Sequence, residues 1–166
     1  MAGSKQLPVL FLDVDGTLIP VGAGPLERLE VPPRSTGSGN PLLGRLNPRH
    51  GSRLMALRCE LVWATTWLAD ANEEIAPRLG LPPLPFVDWA DAPADESIDR
   101  LHWKTRTLVA WAAGRPFIWV DDEITAFDRV WVATHHAAEA LLQRVSPLRG
   151  VTDADFDEMS DWLARL

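Results

Sequence analysis

The stretch Val9-Leu10-Phe11-Leu12-Asp13-Val14-Asp15-Gly16-Thr17 decides the fold. It opens with an unbroken apolar run that ends abruptly in two aspartates flanking a valine. A short apolar run without alternation reads as a strand buried on both faces, as in a parallel sheet covered by helices. The carboxylates that follow then stand at the sheet edge where the strand ends. A second stretch repeats the pattern, with Phe117-Ile118-Trp119-Val120 running into Asp121-Asp122-Glu123. Carboxylates gathered at one edge repel unless a cation joins them, and hard oxygen ligands of this kind suit Mg²⁺. Together the two signatures predict a metal site.

Working outward, apolar runs at 61–64 and 130–133 alternate with helical patterns, which predicts a parallel α/β sheet with helices on both faces. A shorter fifth strand is expected at 84–87. Asn47-Pro48 opens a helix to about Arg58. Leu68, Asn72, Ile75 and Leu79 share one helical face, and Gly80 with Pro82-Pro83 ends it. Leu101, Leu108 and Trp111 line another helix. Thr152 caps the last, whose stripe is Phe156, Met159, Leu163 and Leu166. Residues 19–44 are too rich in glycine and proline for a long regular element. They predict a small flap over the strand ends rather than a second domain, so residues 1–166 read as one domain without a large cap.

Bulk properties narrow the function classes. At 166 residues there is room for one real core and not comfortably for two. No run approaches the roughly 18 apolar residues that suggest a membrane span. The opening Met-Ala-Gly-Ser-Lys-Gln is short and polar for a signal peptide, and a single cysteine, Cys59, forbids an internal disulfide. The cytoplasm is the expected compartment. The net charge of −7 argues against a free-standing nucleic-acid binder. Between 28 and 58, however, six arginines (28, 34, 45, 49, 53, 58) face one acid, Glu30. This basic stretch adjoins the first acidic motif, and it is expected to attract an anionic substrate. The acids of 88–99 and 153–161 read as solvated faces.

Two further signals lie between the acid pairs. Val62-Trp63-Ala64-Thr65-Thr66 ends a strand in hydroxyls, and Lys104 falls at helical spacing between Leu101 and Leu108, where apolar residues belong. The order acid pair, hydroxyl, lysine, acid pair resembles the haloacid dehalogenase-like hydrolases, whose four signatures are all matched between residues 13 and 122. Receiver domains of two-component signalling use similar residues, but their acid pair comes at the first strand and their lysine last, so the order rejects them. The resemblance implies a Rossmann-like three-layer fold and an Mg²⁺-dependent phosphohydrolase working through an aspartyl phosphate. It makes Asp13 the nucleophile and Asp15 the general acid and base, with the Asp15 main-chain carbonyl on the metal. Thr65, preferred over its neighbour Thr66, bonds the transferring phosphoryl group, and Lys104 neutralises Asp13 and the phosphate. Asp13, Asp15 and Asp122 converge on Mg²⁺, with Asp121 beside Asp122 as second ligand or orienting acid. Gly16 permits the sharp turn after Asp15, and Trp67 is expected to wall the substrate pocket.

A finer likeness rests on Leu-Asn-Pro-Arg-His (46–50), Leu-Val-Trp-Ala-Thr-Thr-Trp (61–67), His-Trp-Lys (102–104) and Trp-Val-Asp-Asp-Glu (119–123). These resemble a minimal-cap subgroup that includes the phosphatase-like domain of some RNA-repair proteins. An open site admits a bulky phosphorylated substrate: a nucleotide, a nucleic-acid end, a metabolite or a phosphoprotein. Oligomeric state is left open, and no membrane partner is expected. The alternatives are a phosphotransferase and a non-catalytic phosphate-binding or regulatory module. Most of the eight tryptophans read as core. His50 and His102 are candidates for substrate contact but read rather as capping or surface residues, and His135-His136, after the expected fourth strand, is a candidate to line the same edge.

Overall fold

The structure, a computed structural model, describes residues 6–22, 40–90, 92 and 100–166. Four parallel strands form its sheet: β1 (Val9–Leu12), β2 (Glu60–Trp63), β3 (Phe117–Asp121) and β4 (Ala140–Arg144), in the order β2-β1-β3-β4. Leu12 stands opposite both Trp63 and Val120, so β1 and its neighbours end nearly level. The unbroken apolar runs have the expected consequence, since every residue of β1 and β3 is buried.

Alternate side chains of the sheet enter two separate cores. Leu10, Leu12, Trp63, Ile118 and Val120 face α1 (Arg49–Ala56), the short helices α2 (Asp70–Glu74) and α3 (Ala76–Leu79), and α6 (Asp153–Ala164). Phe11, Val62, Phe117 and Trp119 face α4 (Thr105–Ala112) and α5 (Ala126–His135). The result is the three-layer α/β arrangement expected from the sequence. Gly51 of α1 lets the helices touch, because a Cβ there would lie 1.7 Å from the Leu79 carbonyl oxygen.

Several elements differ from the sequence reading. The run 130–133 is the middle of α5, not a strand. Thr125 forms a capping box with Asp128 that starts a helix, and only Val132 of that run is buried while Val130 is 69% exposed. The fourth strand is β4, whose edge position leaves three of its five residues at least partly exposed. The expected fifth strand at 84–87 contributes a single parallel bridge, Phe86 to Trp63. Pro82, Pro83 and Pro85 lack the N–H donors that a longer ladder needs. The expected helix of 68–79 is two short pieces, because Pro77 enters at the start of α3. Leu68 adopts φ 50° and stays exposed, while Gly80 closes α3 at φ 69° as expected. In α6 the buried stripe is Phe156, Met159 and Trp162, and Leu166 is exposed.

Of the flap at 19–44, most lies outside the described residues, Arg28 and Arg34 included. Its end carries a 3-10 helix, Pro41–Arg45, capped by the Asn40 side chain. Arg45 donates to the Pro20 carbonyl at 3.0 Å. Arg53 donates to Asp157 of α6 at 2.7 Å, so its charge is spent on the acidic face of α6 rather than on the carboxyl edge of the sheet. Among the described residues, no helix is long and apolar enough to cross a membrane.

Topology fixes where a site can form. From β1 the chain moves to β2 on one side, then returns across β1 to place β3 on the other. The helices after β1 and after β3 cover opposite faces, which leaves a crevice beyond the carboxyl ends of these two strands. Asp13 and Asp121-Asp122 stand at those ends.

Candidate active site

The loop after β1 is tightly wound. The Asp13 amide donates to the Val120 carbonyl at 3.1 Å, carrying the ladder one residue beyond the strand. The Val14 carbonyl then accepts from the amides of Thr17, Leu18 and Ile19 at 2.9–3.1 Å. Gly16 makes this possible at φ +76°, and it has a second reason to lack a side chain. A Cβ there would lie 2.5 Å from Oδ2 of Asp122, so the loop closes directly onto the second acid pair.

Lys104 joins the two signatures. It precedes α4, is only 4% exposed, and its Nζ donates to Asp13 Oδ1 and to Asp121 Oδ2, each at 2.7 Å. Thr17 Oγ1 donates to the other Asp13 oxygen at 3.0 Å. Asp121 is fully buried and also accepts from the Trp119 indole at 3.2 Å and from the Glu123 amide at 3.0 Å. Both of its oxygens are therefore engaged by protein donors. Asp122, half-buried beside it, is better placed to offer oxygen to an ion.

The carboxylate oxygens of Asp13, Asp121 and Asp122 approach within 4.8 Å of one another. Three carboxylates against one ammonium leave net negative charge in a largely buried space. Burial lifts the Asp13 carboxyl up to about 7, against the pull of Lys104 and with the help of Asp121. Burial, then the neighbouring Asp121, lifts Asp122 as well. For Lys104, burial opposes its charge, but Asp13 and Asp121 outweigh it and raise its pKa. A hard divalent cation is what such oxygens lack, and the donor set fits one. A second cluster, His102, Asp121 and Glu123, has the same spacing. It reads as a hydrogen-bond chain instead: His102 Nδ1 accepts the Lys104 amide at 3.2 Å, and His102 Nε2 meets Glu123 Oε2 at 3.2 Å.

Asp15 and the two threonines occupy the β2 side of the crevice. Ala64 donates to the Leu12 carbonyl at 2.9 Å, which brings Thr65 to the same carboxyl edge of the sheet. Thr65 is 1% exposed, and its Oγ1 accepts the Trp67 amide at 3.3 Å. Thr66 is exposed. Asp15 is exposed too, and its Oδ2 accepts the Trp67 indole N–H at 2.9 Å. The structure thus brings together Asp13, Lys104, Asp121 and Asp122, with Gly16 packed against Asp122, and sets the Asp15 carboxylate on Trp67.

Other residues around the site carried no distinct signal in the sequence. Thr17 lay inside the first motif without an assigned role. Asp128 is fully buried, and Oδ1 accepts the His102 amide at 2.8 Å and Thr105 Oγ1 at 2.6 Å. Its Oδ2 caps α5 through Thr125, so one carboxylate ties the Lys104 turn to the next helix. The spacing of an aspartate three residues after a threonine is the local pattern of such a cap, whereas nothing local points to the long-range bonds. His135-His136 is not at this edge. His136 bonds the Arg115 carbonyl and packs on Phe117, at the opposite ends of the strands. Cys59 stands apart, its thiol pushed up to about 12 by burial.

A parallel three-layer sheet with this acid–lysine–acid crevice at its switch point defines a haloacid dehalogenase-like domain. Residues 9–156 match the family described as the HAD domain in Swiss Army Knife RNA repair proteins, and the chain belongs to that family. No curated protein and no solved structure matches it significantly.

Proposed function

We propose that this chain is an Mg²⁺-dependent phosphohydrolase that opens a phosphate monoester through an aspartyl phosphate on Asp13. The observation that carries the reading is Lys104, held at 2.7 Å from both Asp13 and Asp121 with Asp122 alongside. A buried lysine clamped between Asp13 and Asp121 has no need of a third carboxylate, Asp122, beside them for stability. It suits a site that must receive several negative charges and release them.

The residues divide the work. Asp13 attacks phosphorus, and Lys104 offsets charge on the nucleophile and on the incoming phosphoryl oxygens. Thr17 holds the Asp13 oxygen that Lys104 does not, which fixes the carboxylate plane. Asp15 gives a proton to the leaving oxygen, then takes one from the water that opens the intermediate. Thr65 supplies a hydroxyl at the transferring group. The carboxylates of Asp13 and Asp122 and the main-chain carbonyl of Asp15 would hold Mg²⁺, with Asp121 orienting Lys104. When bound, the ion contributes neutralisation of phosphoryl charge. The family's description points to RNA repair, so an RNA end phosphate is the substrate class to try first.

The test is hydrolysis of p-nitrophenyl phosphate and of RNA oligonucleotides phosphorylated at either end, with Mg²⁺ or with EDTA. The expected result is phosphate release that requires Mg²⁺ and disappears in Asp13→Asn. Release that is indifferent to EDTA, or to the loss of Asp13, would end this reading.

A further inference from the structure

Four indoles surround the catalytic groups, each engaging a different one. Trp119 donates to Asp121 at 3.2 Å, Trp89 donates to the Thr65 carbonyl at 3.0 Å, and the Trp103 ring lies 5.6 Å from Lys104 Nζ. The fourth contact differs in kind. Trp67 donates its indole N–H at 2.9 Å to Oδ2 of Asp15, an exposed carboxylate more than fifty positions away in the chain. The same residue is anchored at its own amide, which donates to Thr65 Oγ1 at 3.3 Å. It is held in a turn before Leu68, whose φ of 50° redirects the chain. Trp67 therefore bridges the hydroxyl of the second motif and the outer acid of the first.

We propose that Trp67 is a positioning residue that fixes which oxygen of Asp15 moves the proton. This rests on the reading of Asp15 as general acid and base. An indole N–H donates and cannot accept. The carbonyl oxygen of a carboxyl group is a better acceptor than its O–H oxygen, so the indole keeps Oδ2 as the carbonyl-like acceptor in both halves of the reaction and favours Oδ1 for the travelling proton. In the first half, an Asp13 oxygen bonds to phosphorus, the ester P–O bond breaks, and the Oδ1 proton passes to the departing oxygen. In the second half, water loses a proton to Oδ1 as its oxygen bonds to phosphorus, and the P–O bond to Asp13 breaks. Asp15 ends protonated on Oδ1, ready for the next cycle. Without the indole, the two oxygens become equivalent and the exposed carboxyl turns about its Cβ–Cγ bond, so the productive geometry is sampled less often.

Trp67→Phe keeps the ring and removes the donor. With glycerol 2-phosphate, a poor leaving group, kcat is expected to fall about tenfold, the order of one hydrogen bond to a charged group. KM should hold, and p-nitrophenyl phosphate, whose leaving oxygen needs little protonation, should lose less than about threefold. An equal loss on both esters would make Trp67 a merely structural residue and overturn the proposal. A second readout needs no turnover. The indole N–H resonance assigned by its absence in Trp67→Phe should be protected from solvent exchange and should lose that protection in Asp15→Ala. A resonance unmoved by Asp15→Ala also overturns it. Asp15→Asn separates the two layers: if it spares neither ester preferentially, the acid role of Asp15 fails, while the resonance still decides the contact.

Discussion

Lys104 is the residue on which the site turns, and its two 2.7 Å contacts make its removal informative. Lys104→Met leaves Asp13 and Asp121 buried without their common partner. Breaking a buried ion pair in this way costs about 3–5 kcal/mol, which urea denaturation at pH 8 should register. At pH 5 the loss should be smaller, because Asp13, lifted to about 7 by burial, then carries a proton. Asp13→Asn should behave oppositely. It keeps the shape, relieves a buried charge and leaves Lys104 on Asp121, so stability holds while turnover falls on the order of 10³-fold or more. Acid-quenched protein should then show no covalent phosphate. These residues were legible in the sequence because each carboxylate interrupts an apolar run, and because a lysine sits where leucines belong. Thr17 and Trp67 were less legible in their roles. A hydroxyl in a turn and an indole after a strand are both common without catalytic partners, and only the closing of the loop reveals what they touch.

At the scale of elements, Asp128 shows how one helix start can be tied to the distant turn that carries Lys104. Its carboxylate caps α5 and simultaneously accepts from His102 and Thr105, either side of Lys104. Asp128→Ala should cost about 2 kcal/mol or more, since it removes a cap and strands buried donors. It should also lower kcat, because the turn that aims Lys104 loses its anchor. Thr125→Ala removes the cap hydroxyl alone and should cost about 1 kcal/mol with kcat nearly intact. Thermal melts paired with steady-state rates on the two variants check this split, and equal kcat losses would sink it. The same helix explains where sequence reading failed. Val130-Trp131-Val132-Ala133 has the β-branched and aromatic character of a strand, yet the capping box at Thr125 and Asp128 outweighs that weak preference. By contrast β4, at a sheet edge, runs from Ala140-Leu141-Leu142 straight into Gln143 and Arg144, so no apolar run as long as those of β1 and β3 marks it. β1, β2 and β3 announce themselves because their apolar residues are buried in near-continuous runs, whereas only Leu142 and Gln143 of β4 are buried.

Over the whole molecule, the sheet order converts two separate sequence motifs into one site. Strands β1 and β3 are adjacent although more than a hundred residues divide them, and the crevice beyond their ends collects the carboxylates. In a chain of net charge −7 this is an unfavourable place for three acids, so proton and metal should compete for it. Asp13 has its carboxyl raised from 3.8 to about 7, and Asp122 is raised in the same sense. A raised carboxyl binds its proton more tightly in the folded state than in the unfolded one. Its contribution to stability is therefore present at low pH and lost as pH climbs from about 4 through 7. Metal-free protein should accordingly melt at lower temperature at pH 8 than at pH 5 on account of this site. Mg²⁺ taken up by the ionised carboxylates, as proposed above, should reverse the deficit where they are ionised. At about ten times its dissociation constant the ion stabilises by about 1.4 kcal/mol. For a chain of this size that corresponds to a Tm rise of roughly 3–6 °C. The rise should be full at pH 8, small at pH 5, and absent at both in an Asp13→Asn, Asp122→Asn double variant. A Tm increment that is the same at the two pH values, or that survives the double variant, would place the bound cation elsewhere on the acidic surface.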